Sequence, residues 1–165
     1  MGRLSSSSDG GAVLRLRRRE MDLLKTLPGR LRPRLESHDF LDPVVARLFP
    51  PACDDSAVEH DFKEMVSGDI RAAKLAALEE FEKSLAAIPT AGKHQAVTLD
   101  AARLDGWITF LNDTRLMLGV VLGIESDDWE QTIDFSRGIP EDLLLYMFLT
   151  HLQGELVDLA LGGPE

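Results

Sequence analysis

Three polar side chains in an apolar helical run are the best placed to do chemistry in this chain of 165 residues. They are Asn112, Asp113 and Arg115, set in TLDAARLDGWITFLNDTRLMLGVVLGI, Thr98 to Ile124. On a helix, Asn112 and Arg115 are three apart and can touch, while Asp113 and Arg115 are two apart and point differently. An arginine on an apolar helix is destabilising unless a carboxylate or carbonyls pair with it. The expectation is a structural ion pair tying this helix to a neighbour. The alternative is a pocket in which the three side chains bind a ligand, a partner or a substrate. Tight packing around them favours the first, and a deep cavity reaching them favours the second.

Other reactive groups carry less. His60 and Glu64 are i,i+4 on one predicted helix, and so are His151 and Glu155. Zinc takes three or four ligands, and nothing in the sequence brings these pairs together, so no metal site is expected. The single cysteine, Cys53, excludes an internal disulfide. Its neighbours Asp54 and Asp55 raise a thiol pKa, so it is not expected to be a reactive nucleophile. No serine sits in a strand–turn–helix elbow, and neither GxxxxGK[ST] nor GxGxxG occurs. No catalytic residue, metal or cofactor is expected, and the chain reads as non-enzymatic.

The remaining chemical feature is charge. Residues 1–34 hold nine Lys/Arg and three Asp/Glu, a balance of +6, while residues 35–165 hold nine and 25, a balance of −16. Arg15, Arg17, Arg18 and Arg19, with Arg30, Arg32 and Arg34, form the only set resembling a nucleic-acid or acidic-partner contact. It lacks interleaved aromatics and a helix-turn-helix context. Because these residues alternate with core-type leucines, the expectation is that they pack against the acidic body. Direct DNA contact through Arg15–Arg19 stays as an alternative, tested by heparin retention with a steep salt dependence.

The elements that must position these groups are mostly helical. Asp100 can cap a helix whose Leu104, Trp107/Ile108, Leu111, Leu118 and Leu122 recur at helical spacing, and Gly123 suits its C-terminal cap. From Leu116 to Leu122 only Gly119 lacks an apolar side chain, so a buried central helix over about 101–123 is predicted. Ala12–Arg17 alternates as a half-buried strand, and Ala96–Leu99 is its natural partner in a minimal two-stranded sheet. Residues 1–11, rich in Ser and Gly, read as a disordered tail. After Arg18, Leu23, Leu24, Leu27, Leu31 and Leu35 fall at helical spacing, but Pro28 and Pro33 break the ladder, so one helix to about Leu27 and a second, shorter or kinked segment after Pro28 are expected. Asp42-Pro43 opens a helix to Phe49. A helix capped near Asp55 or Ser56 runs to Val66, with Ser67-Gly68-Asp69 as punctuation. Ile70 to Ile88 then forms an amphipathic helix whose inner stripe is Ile70, Ala73/Lys74, Ala77/Leu78, Phe81, Leu85 and Ile88. Trp129, Ile133 and Phe135 fit a short strand or a loop. Pro140 opens the last helix, which carries LLLYMFL as core or as a dimer seam.

At 44% hydrophobic and 28% charged the composition is that of an ordinary soluble domain. No signal peptide and no membrane-spanning run is expected, and the location is read as cytoplasmic. The fold class is thus mainly α: a single-domain helical bundle over 12–165 around a buried central helix.

Several segments together then resemble a known family. DPVVARLFP, EHDFKEM, IRAAKLAAL, the V-x-L strand, WITFLNDTRLMLGVVLGI and YMFLTHLQGELVDLAL occur in that order. This is similar to an actinobacterial family of largely unknown function, often encoded beside the protease adaptor ClpS, which includes an actinomycete oxidative-stress regulator. The similarity spans roughly residues 12–161. Leu111 to Ile124 and Leu149 to Gln153 are its most specific parts. The resemblance implies a regulator of transcription or stress response that works through a protein partner such as a sigma factor. That regulator senses redox through a pair of cysteines. With Cys53 alone, that switch does not carry over.

Overall fold

The structure, a computed structural model, describes residues 3–50, 56–89, 92 and 94–162, and of Arg3, His94 and residues 56–67 the backbone alone. The chain runs β1 (Arg3–Ser6), β2 (Ala12–Arg17), α1 (Arg18–Glu36), α2 (Pro43–Leu48), α3 (Ser56–Ala86), β3 (His94–Leu99), α4 (Ala101–Leu122), α5 (Trp129–Thr132), a single 3-10 turn at Phe135–Arg137, and α6 (Glu141–Ala160). The fold is mainly α, as expected. The central helix is α4, packed against α2, α3 and α6.

Helix α4 forms where its end signals place it. The Asp100 side chain accepts from the Arg103 amide at 2.8 Å, and Gly123 closes the helix in the left-handed region at φ 70°. Leu104, Trp107, Phe110, Leu111, Met117 and Leu118 are buried along it. The expectation that its second half is apolar to every side and wholly buried fails: Val121 is 54% exposed. Leu116, Val120 and Leu122 are only half-buried. The apolar run there exceeds what α2, α3 and α6 cover, and it opens onto a cavity described below.

The sheet has three antiparallel strands in the order β1-β2-β3, one more than the expected pair. Residues read as tail supply the extra strand: Leu4 pairs with Leu14, and Ser6 with Ala12. One apolar residue among serines leaves no alternation to read. Here the pairing is specified by the free backbone edge of β2 and by Leu4 reaching the core. Across the other edge Leu14 faces Val97 and Ala12 faces Leu99. Ala12, Leu14, Leu16, Val97 and Leu99 point inward. Val13, Arg15, Arg17, Ala96 and Thr98 alternate outward.

Gly11 marks a close approach between strands. A Cβ there would stand 2.1 Å from the Leu99 carbonyl oxygen, which is backbone and cannot step aside. Gly11→Ala is therefore expected to lower stability by about 2 kcal/mol through forced separation of β2 and β3, read as a shift of the urea midpoint at unchanged slope.

Two predicted breaks do not occur. Helix α1 runs unbroken through Pro28 and Pro33. Each proline removes one ladder hydrogen bond, but Leu24, Leu27, Leu31 and Leu35 are fully buried along one stripe, and that packing holds the helix together. Helix α3 is likewise continuous across Ser67-Gly68-Asp69; three weak helix formers between strong ones are tolerated at about 1 kcal/mol for the glycine. The inner stripe of α3 keeps the expected Ala77, Leu78, Phe81 and Leu85 and departs only at its start. Ile70 is exposed and Arg71 is buried, ahead of Leu78, Phe81 and Leu85. The Trp129 region forms a short helical turn followed by the 3-10 turn, neither strand nor open loop.

Candidate functional site

The three polar residues of α4 separate into two sites on opposite sides of the helix. Asp113 points to α3. Its side chain is 1% exposed and its Oδ1 accepts from Lys74 Nζ at 2.5 Å. Its Oδ2 is buried without a partner among the described residues. Burial raises the Asp113 carboxyl above the ordinary carboxylate value, and Lys74 offsets only part of that shift. This is the ion pair tying the helix to a neighbour, but the cation is Lys74 rather than Arg115.

One turn earlier on α3, Arg71 performs a related task. Its guanidinium donates to the Leu35 carbonyl and, at 2.7 Å, to the Ser37 carbonyl, meeting acceptors that the end of α1 leaves open. Its guanidinium carbon lies 4.5 Å from the Phe49 ring centroid. Burial lowers its pKa from the usual guanidinium value. Arg71 thus locks α1, α2 and α3 together. Lys74 lies on the expected inner stripe, and periodicity could have found Arg71 as well, since it shares the inward phase of Lys74 and Leu78.

Arg115 and Asn112 point to α6. Arg115 Nε donates to Thr150 Oγ1 at 2.9 Å, and a terminal nitrogen donates to Gln153 Oε1. Gln153 Nε2 reaches Asn112 Oδ1 at 3.5 Å. The guanidinium lies over the Tyr146 ring, 5.5 Å from its centroid, and Thr150 is oriented by donating to the Tyr146 carbonyl at 2.8 Å. No carboxylate neutralises Arg115 among the described residues, which corrects the expected ion pair at this residue: a hydroxyl, an amide oxygen and an aromatic face stand in its place. These partners lie 31 to 38 positions along the chain, beyond the reach of local pattern.

The Arg115 side opens to a cavity of about 320 Å³ between α2, α4, α6 and the segment after Gly123. A second and larger hollow, about 740 Å³, lies between α1 and α6. Its apolar lining is Leu23, Leu144, Leu145 and Phe148. Leu23 and Leu144 are 46% and 51% exposed.

The basic residues divide as well. Arg30 pairs with Asp142 at 2.9 Å, Arg32 with Glu82 at 2.5 Å, and Arg34 with Asp42. Arg15 and Arg17 instead project from the outer face of the sheet, and Arg18 and Arg19 stand exposed where α1 begins. The first turn of α1 is served by Glu20, which accepts from the Arg17 amide at 2.7 Å. The other sequence candidates add no site. Cys53 and the His60 and Glu64 side chains lie outside the described residues. His151 and Glu155 meet at 3.3 Å on the exposed flank of α6. No three metal-binding side chains cluster among the described residues. No helix there is long and apolar enough to cross a membrane.

Against known proteins, residues 1–160 match one family, described as a domain of unknown function, DUF2017. The chain belongs to that family. No curated protein and no solved structure matches it. Membership spans α1 to α6 and therefore both hollows, but it brings no activity with it.

Proposed function

We propose that this DUF2017 chain is a non-catalytic cytosolic regulator that docks a basic amphipathic helix of a protein partner in the groove between α1 and α6. The observation that carries the reading is the groove itself. Leu23 and Leu144 present half-exposed apolar walls over a floor of Leu145 and Phe148. Helix-in-groove recognition uses such a trough for the apolar face of an amphipathic helix. With Glu20 already engaged at the start of α1, the rim bears Asp22 and Glu141 beside Arg19, so its complement is basic. A second copy of this chain would bring the same acidic rim against itself, which disfavours the dimer reading of α6. That the partner belongs to the transcription machinery, a sigma factor for instance, is implied by the family resemblance.

The test is paired capture from native cell extract with wild-type protein and the Leu23→Glu/Leu144→Glu variant as baits. The groove reading expects a partner held by wild type, lost with the variant by about tenfold or more, and contacting through a basic helix. Equal capture by both baits, or a wild-type sedimentation mass of a dimer that the variant dissociates, overturns it.

A further inference from the structure

The cavity on the opposite flank of α6 has a different chemistry. Arg115 is held by its Nε on Thr150 and one terminal nitrogen on Gln153, with its guanidinium carbon over the Tyr146 ring. A guanidinium has five N–H donors, so after these two hydrogen bonds three remain with no protein acceptor among the described residues. Arg115 lines a cavity together with Arg47, from the last turn of α2, which is exposed and in no ion pair among the described residues. A fixed fork with free donors is the arrangement that takes a carboxylate. Yet the same lining includes Glu125 and Asp127, so the charges balance and a bare anion would meet two carboxylates. Between them stand apolar walls. Trp129 and Tyr146 meet edge to face at 6.4 Å, and Leu116 and Val120 are the half-buried residues that the core leaves open.

We propose that this cavity binds a small zwitterion of amino-acid type with an apolar side chain. Its carboxylate sits on Arg115 and Arg47, its ammonium faces Glu125 and Asp127, and its side chain lies against Trp129, Tyr146 and Val120. The volume, about 320 Å³, admits a molecule of that size and little more. The alternative drawn from sequence puts Asn112, Asp113 and Arg115 in one pocket. Here Asn112 and Arg115 line the cavity, Asp113 does not, and Arg47 and the acidic loop replace it.

The experiment is isothermal titration of the full chain with L-phenylalanine and L-leucine, beside phenethylamine, which lacks the carboxylate, and 3-phenylpropionate, which lacks the ammonium. Saturable binding of an amino acid at about 1 mM or tighter is expected, with both truncated analogues weaker by about tenfold or more. Arg115→Met and Arg47→Ala should each weaken it by a similar factor. Arg47 is exposed, so its variant decides the matter if Arg115→Met does not fold. Leu23→Glu/Leu144→Glu should bind unchanged, which separates this site from the α1–α6 groove. No saturable heat with either amino acid, equal affinity for the amine or the acid, or unchanged binding in Arg47→Ala overturns the proposal.

Discussion

Replacing Lys74 with methionine is expected to destabilise the protein by about 3 kcal/mol, because it strands a carboxylate in the seam between α3 and α4. Asp113 is 1% exposed, its Oδ1 is held by Lys74 at 2.5 Å, and its Oδ2 already lacks a partner. Without Lys74 the charge has nothing to offset its desolvation, and the group protonates instead, which caps the loss. The double variant Lys74→Met/Asp113→Leu should recover most of it, since apolar replacement of a whole buried pair is often neutral or better. Urea unfolding of the three variants at neutral pH checks this. A single variant within about 0.5 kcal/mol of wild type would mean that water reaches Asp113 after all.

The same carboxylate gives a pH signature. Its folded pKa is raised by burial above the ordinary value of 3.8. The folded state therefore holds its proton more tightly than the unfolded chain does. Its contribution is fully present below 3.8 and is lost as pH rises through the raised folded value. Asp113→Asn should remove that slope, so the stability difference between variant and wild type grows in the variant's favour with pH across that window. Removing Lys74 takes away the interaction that opposes the shift, so the window should widen upward in Lys74→Met.

Phe81→Ala is expected to be the most damaging single truncation, at about 4 kcal/mol. The ring is fully buried on α3. It stacks on Phe110 with centroids 3.9 Å apart, and lies 4.5 Å from Trp107. Both partners belong to α4, so the aromatic triplet is the main apolar bond between the two longest helices. Its loss opens a cavity that backbone on either side cannot collapse, because the Lys74–Asp113 pair pins the same seam. Phe81→Leu should keep most of the contact and lose about 1.5 kcal/mol. Chemical denaturation gives the magnitudes, and near-ultraviolet circular dichroism should show the Trp107 band weakened in Phe81→Ala before unfolding begins. A domain of this size is stable by about 5–15 kcal/mol, so the alanine variant keeps a folded state whose margin is thin.

The sequence by itself determined the helical class, the central helix with both of its caps, the two inner strands, and the absence of any motif for phosphate binding or nucleophilic catalysis. Those features are local. Asp100 and Gly123 act on backbone groups within one turn, and the alternation in Ala12–Arg17 is read off neighbouring residues. Tertiary structure decided the rest. Pro28, Pro33 and Gly68 signal breaks that long stripes of buried side chains override. Leu4 becomes part of a strand because β2 has an open edge, a fact absent from the serines around it. Most of all, the ion pair to a neighbouring helix falls to Asp113 and not to Arg115. Two positions apart on a helix, they face different neighbours, and which one meets a countercharge depends on whether α3 or α6 lies on that side. Only packing puts Lys74 against the aspartate and leaves the arginine, held by Thr150 and Gln153, looking into an open cavity.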